Sequence, residues 1–146
     1  MANVTTLATV ASIIAGFGAA MLFFRIQREL QAHERMEWKW IPWADRLLIG
    51  ATLVALLFVV LPLVAFTNRP GGMAELPAAA CAAATVLVAG YVPAILAHYR
   101  LLFGSKSEGP GSNPEPAERV IVILTLLLAA GAFLMVLFRY SYEPVL

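Results

Sequence analysis

Few side chains in this sequence are suited to chemistry. There are two histidines, His33 and His98, and one cysteine, Cys81. Imidazole changes charge near neutral pH, so each histidine is a candidate proton carrier or metal ligand. Neither stands in a set that would make it one. His33 follows Glu29 at helical spacing, and His98 is followed by Tyr99 and Arg100. No His, Asp or Glu recurs at metal-ligand spacing. No Ser/His/Asp arrangement and no glycine-rich phosphate loop occurs. Cys81 sits alone in an alanine run, residues 78–84, and one cysteine makes neither a disulfide nor a metal framework. The sequence therefore predicts no catalytic residue, no metal site and no cofactor.

One short motif is sharper. Arg28 and His33, in "RELQAH", have the Arg-x4-His spacing that resembles the active motif of HEPN ribonucleases. That resemblance implies an arginine and a histidine meeting RNA at a dimer interface. It covers two residues, and the chain has no soluble helical domain around them. Net charge is only +1, so no global basic field calls for nucleic acid, and none is expected as a partner.

The elements that carry these residues are apolar. Of 146 residues, 61% are hydrophobic and 13% charged, where a soluble domain carries about 25% charge. Four runs are long enough to cross a bilayer, which takes about 20 helical residues. They are residues 4–24, 47–66, 77–96 and 120–138, and none contains Asp, Glu, Lys or Arg. A charge at the centre of a span costs about 2.5 to 3.5 kcal/mol on insertion scales, so clean runs are informative. The first run has no basic residue before Arg25 and is long for a signal peptide, so it reads as a retained span. The expected fold is an all-α integral membrane protein, a single domain over residues 1–146. It is a four-transmembrane-helix bundle whose first partner is the lipid bilayer itself.

Charge sets the expected orientation. The loop over residues 25–46 holds Arg25, Arg28, Arg35, Lys39 and Arg46; the loop over residues 97–119 holds Arg100, Lys106 and Arg119. Only Arg69 and Arg139 fall on the other side. Positive loops stay inside, so both loops are expected in the cytoplasm and both termini outside the cell membrane.

The first loop has further structure to offer. Ile26, Leu30 and His33 follow helical spacing, and only Pro42 stops the pattern. The first helix is therefore expected to run into the cytoplasm as an amphipathic extension over residues 25–41. Trp38, Trp40 and Trp43 crowd the point where the chain returns to the headgroups, where an apolar ring with one N–H is an anchor. Ile26, Leu30, His33, Trp38 and Trp40 are the candidate partner-contact residues. The loop at residues 104–116 is rich in Gly, Ser and Pro and reads as a flexible linker. Pro70-Gly71-Gly72 breaks the outer loop.

The halves resemble each other. "AGFGAAML" from Ala15 matches "AGYVPAIL" from Ala89, and "ADRLLIGATL" from Ala44 matches "AERVIVILTL" from Ala117. Both second members carry an acid and then an arginine, Asp45-Arg46 and Glu118-Arg119, suited to a helix N-terminus at an interface. Two tandem hairpins are one reading, and chance matches of Ala, Leu and Gly the other. Ala8, Ser12, Gly16 and Ala20 form a small-residue stripe, expected as a packing face within the monomer or as a seam between copies. Thr52, Thr85 and Thr125 can bond their own carbonyls four residues back, and Pro62 and Pro93 should kink their helices.

No run holds a carboxylate, which sets the chain apart from small multidrug transporters, whose first span carries an essential Glu. The Asn and Phe signatures of four-span fluoride channels are not found. The expected function is a non-enzymatic interaction or accessory subunit of a membrane complex. Its partner would be another membrane protein or a second copy. The alternative is a homo-oligomeric channel or transporter-like pore.

Overall fold

A computed structural model describes residues 4–33, 43–65, 75–98 and 115–142, and every one of them is helical. There are four helices: α1 (Val4–His33), α2 (Trp43–Ala65), α3 (Glu75–His98) and α4 (Glu115–Tyr142). Each contains a segment long and apolar enough to cross a membrane. The last three helices start a few residues before their apolar runs do. First-turn N–H groups have no intrahelical acceptor, so an acid or a proline is tolerated there. Asp45 in α2, Glu75 and Pro77 in α3, and Pro116 in α4 occupy these positions.

α2 and α3 form the centre. α1 lies against both, while α4 packs along α3 and touches α2 lightly. The interior is built from small side chains. Ala11, Ala44, Ala51, Ala55, Ala79, Ala84 and Ala94 are fully buried, with Leu47, Leu48 and Val59 among the few large ones. Large apolar residues point outward instead, including Phe23, Phe24, Phe58, Leu127, Leu128 and Met135. A water-soluble domain of this size would bury such side chains. An alanine-lined interior lets backbones approach closely, so dispersion contacts and backbone proximity hold the helices.

Two glycines mark the closest approaches. A Cβ on Gly18 would strike the Thr52 side chain, and one on Gly90 would fall 2.7 Å from Thr125 Cβ. Each threonine hydroxyl is turned to its own helix, donating over 2.8 Å: Thr52 to the Leu48 carbonyl and Thr125 to the Ile121 carbonyl. Thr85 does the same to Cys81, which is buried. These hydroxyls are satisfied within their own helices.

Pro62 has a visible consequence. A π-helical turn, Leu56–Val60, precedes it, and the Leu61 N–H bonds back to the Leu56 carbonyl. Widening by one residue accommodates a ring that would collide with the carbonyl four residues back. Pro93 lies inside α3, whose helical assignment is unbroken.

The small-residue stripe of α1 does not do the packing expected of it within the monomer. Ser12, Gly16 and Ala20 are exposed, Ala8 is half-buried, and Gly16 has open space where a Cβ would stand. The inward face is Leu7, Ala11, Ile14, Ala15 and Gly18. A four-residue period of small side chains selects the wrong stripe because it passes over Leu7 and Ile14, which join the buried core with the alanines of α2 and α3. α1 continues to His33; the remainder of the expected extension, with Trp38 and Trp40, lies outside the described residues. So do most of the linker expected at 104–116 and the turn at Pro70-Gly71-Gly72.

Candidate functional site

The helices bring four of their charged or titratable side chains together at one end of the bundle. α1 and α3 arrive there by their C-termini, and α2 and α4 depart by their N-termini. The side chains that meet are Arg25, Asp45, His98 and Glu118.

Arg25 leaves α1 and reaches Asp45 in the first turn of α2. Its Nη2 and Nε donate to the same carboxylate oxygen, Oδ2, at 3.1 and 3.3 Å. Both side chains are largely shielded from solvent. Their pairing fixes the height of α1 against α2.

Glu118 is the centre of the cluster, and its residue exposure is 0%. Its Oε1 accepts the backbone N–H of Ala44 at 2.7 Å. That N–H belongs to the first turn of α2 and has no acceptor in its own helix, so the carboxylate caps α2 from α4. Oε2 stands 3.0 Å from His98 Nδ1 at the end of α3. An ionised carboxylate only accepts, so Nδ1 then carries the hydrogen. One side chain therefore ties together three helices.

The two pairs occupy matching places. Arg25 and Asp45 are separated by 20 residues, and so are His98 and Glu118. Asp45 and Glu118 are the acids of the aligned "ADR" and "AER" segments, and Leu48 with Thr52 corresponds in the same register to Ile121 with Thr125. The helix-crossing contacts Gly18–Thr52 and Gly90–Thr125 repeat as well. In this pairing Gly90 corresponds to Gly18, two residues along from the Gly16 match that the letters suggest. The contacts thus recur in the two helix pairs with a small slip of register in the odd-numbered helices.

The arginines that follow the acids behave differently. Arg46 and Arg119 are exposed, and their guanidinium carbons lie 3.9 and 5.0 Å from the centre of the Trp43 ring. Each is a cation–π contact. Trp43, expected as an interfacial anchor, is thus a half-buried platform for two cations.

Ile26 and Leu30 are 57% and 66% exposed on α1 beyond Arg25. His33 ends the helix. His98, which looks interfacial in the sequence, is drawn inward to Glu118. In the sequence the acids are legible only as favourable for helix dipoles; Arg25 and His98, at matching offsets before them, are the available signal of pairing. Chemically, a carboxylate beside an imidazole can pass a proton, but each Glu118 oxygen is engaged by a structural donor. No group of three His, Cys, Asp or Glu side chains able to hold a metal occurs among the described residues. Compared with family models, curated proteins and solved structures, the chain matches none.

Proposed function

We propose that this chain is a multi-pass protein of the cell membrane and acts as a non-enzymatic accessory subunit, binding a partner through the cytoplasmic end of α1. Four apolar helices and an outward-facing surface of Phe, Leu and Met support the membrane setting. The excess of Lys and Arg in residues 25–46 and 97–119 supports a cytoplasmic position for the clustered end.

One observation carries the partner reading. The Arg25–Asp45 pair levels α1 with the start of α2, yet α1 runs on to His33. Those further residues extend roughly 12 Å past the pair at about 1.5 Å per residue. Ile26 and Leu30, one turn apart on a single face, are exposed there. An apolar face held beyond the start of α2 suits a partner helix.

The test is co-purification from native membranes after light crosslinking. A second protein at fixed ratio, lost on Ile26→Ser with Leu30→Ser while membrane insertion persists, is the expected result. Unchanged association in that variant refutes the contact.

A second reading has one observation in its favour. The exposed stripe Ser12, Gly16 and Ala20, with open space beside Gly16, would let copies of α1 approach closely. It expects a closed ring of identical chains and ion flux from purified protein in liposomes. A monomer without flux removes it.

A further inference from the structure

We propose that Trp43, Arg46 and Arg119 form a binding site for a phosphate-bearing anion, filled in the membrane by the headgroup of an anionic phospholipid. The proposal rests on the membrane reading of the four helices and is independent of any partner for α1.

Three observations converge. First, two guanidinium groups from different helices are gathered on one indole ring, at 3.9 and 5.0 Å from its centre. Like charges repel, so holding two cations together favours an anion between or beside them. Second, the acids that directly precede them in the chain face elsewhere. Asp45 and Glu118 each precede one of these arginines, and both are buried. Asp45 is held by Arg25, and Glu118 by Ala44 N–H and His98. Among the described residues, neither Arg46 nor Arg119 has a carboxylate in an ion pair. Third, both arginines lie within five residues of the starts of helices that begin at the same end, so the dipoles of α2 and α4 add to the positive potential.

The chemistry selects phosphate. A guanidinium is a planar fork of donors that matches phosphate oxygens in bidentate fashion and keeps its charge. The indole orders both forks beforehand through cation–π attraction, which lowers the entropy lost on binding. Its apolar body suits the acyl–headgroup boundary. The matching arginines come from the two hairpins, but the ring has one source, because the position corresponding to Trp43 is Pro116. One ring and two forks make a single site per chain.

The test is native mass spectrometry of the full chain, delipidated in detergent and titrated with phosphatidylglycerol or phosphatidylcholine. Wild type should retain one phosphatidylglycerol and no phosphatidylcholine. Each arginine near a membrane surface contributes about 1 kcal/mol, so Arg46→Gln with Arg119→Gln should weaken retention roughly thirtyfold, and each single change about fivefold. Arg46→Lys with Arg119→Lys keeps the charge and removes the fork; it should bind with intermediate affinity, and it serves if the glutamine pair does not fold. Arg139→Gln, at the other end of α4, should bind as wild type. Displacement of the lipid by millimolar inorganic phosphate would assign the site to soluble phosphate as well as lipid. Equal retention by wild type and the double glutamine variant, or equal loss in Arg139→Gln, overturns the proposal.

Discussion

Replacing Glu118 tests the clasp that joins the hairpins. In Glu118→Ala the Ala44 N–H at 2.7 Å loses its acceptor, and His98 at 3.0 Å loses its carboxylate. A hydrogen bond to a charged group contributes about 1.5 to 3 kcal/mol. Losing two gives roughly 3 to 6 kcal/mol, which overlaps the usual cost, about 3 to 5 kcal/mol, of breaking a buried pair from one side. Glu118→Gln is more informative. Its carbonyl oxygen can still accept from Ala44, and its amide can donate to a neutral imidazole. It loses charge and keeps both geometries, so a cost of about 1 to 2 kcal/mol follows. The order of stability should be wild type, then glutamine, then alanine. The assay is reversible unfolding in mixed micelles, followed by helical circular dichroism. The coupling with His98→Ala in a double-mutant cycle should exceed about 1 kcal/mol, since the two side chains touch. Alanine within about 0.5 kcal/mol of wild type would refute the clasp, because surface substitutions fall in that range. Strict additivity with His98→Ala would refute the His98 arm.

Other consequences follow from the same geometry. Gly90→Ala drives a methyl into Thr125 and should cost about 1 to 3 kcal/mol by overpacking; Thr125→Gly in the same chain should recover most of it, as judged by the same unfolding assay, whereas Gly16→Ala should be neutral because nothing lies near it. Arg25→Gln leaves Asp45 shielded without its guanidinium and should destabilise by about 2 to 4 kcal/mol, with partial recovery on adding Asp45→Asn. Trp43→Leu removes the platform for Arg46 and Arg119 and should raise the solvent accessibility of both, read as faster modification by an arginine-directed reagent. Single cysteines in a Cys81→Ser background should react with an impermeant maleimide from the cytoplasmic side at residue 106 and from the outer side at residue 69; the reverse pattern would invert the proposed topology.

The four helices are plain in the sequence because a water-soluble fold rarely calls for four charge-free apolar runs of bilayer length. What lies between the helices is harder to read. In a bundle whose outer face is also apolar, both surfaces of a helix are apolar, so hydrophobic periodicity no longer tells inside from outside. That is why the Ala8, Ser12, Gly16 and Ala20 stripe looks like the packing face, while Leu7, Ala11, Ile14 and Gly18 hold that place. The discriminating feature is close approach, and it belongs to pairs: Gly18 means little until Thr52 is opposite it. The polar cluster has a stronger signal. Asp45 and Glu118 stand at matching places in the aligned halves, with Arg25 and His98 20 residues before them. Reading the acids only against helix dipoles leaves out those cations, because sequence spacing alone does not show that consecutive helices are antiparallel neighbours with ends at one level.

The departures from symmetry explain how the hairpins become one body. Glu118 adds a direct hydrogen bond that registers one half against the other, beside the Arg119–Trp43 contact. Asp45 serves Arg25 within the first hairpin. Glu118 is one methylene longer, and its Oε1 crosses to the α2 backbone while Oε2 stays with His98. An aspartate in its place would be too short to hold both partners at hydrogen-bond distance, so Glu118→Asp should keep one arm and lose the other. Because the donor on the far side is a backbone N–H, no side-chain change in the first hairpin can remove it, short of proline. This hydrogen-bonded link between the halves therefore depends on the length of one side chain in the second. The same placement leaves Arg46 and Arg119 outside, where a single indole gathers them. Burying Asp45 and Glu118 against partners on other helices thus also leaves the neighbouring Arg46 and Arg119 exposed beside one ring.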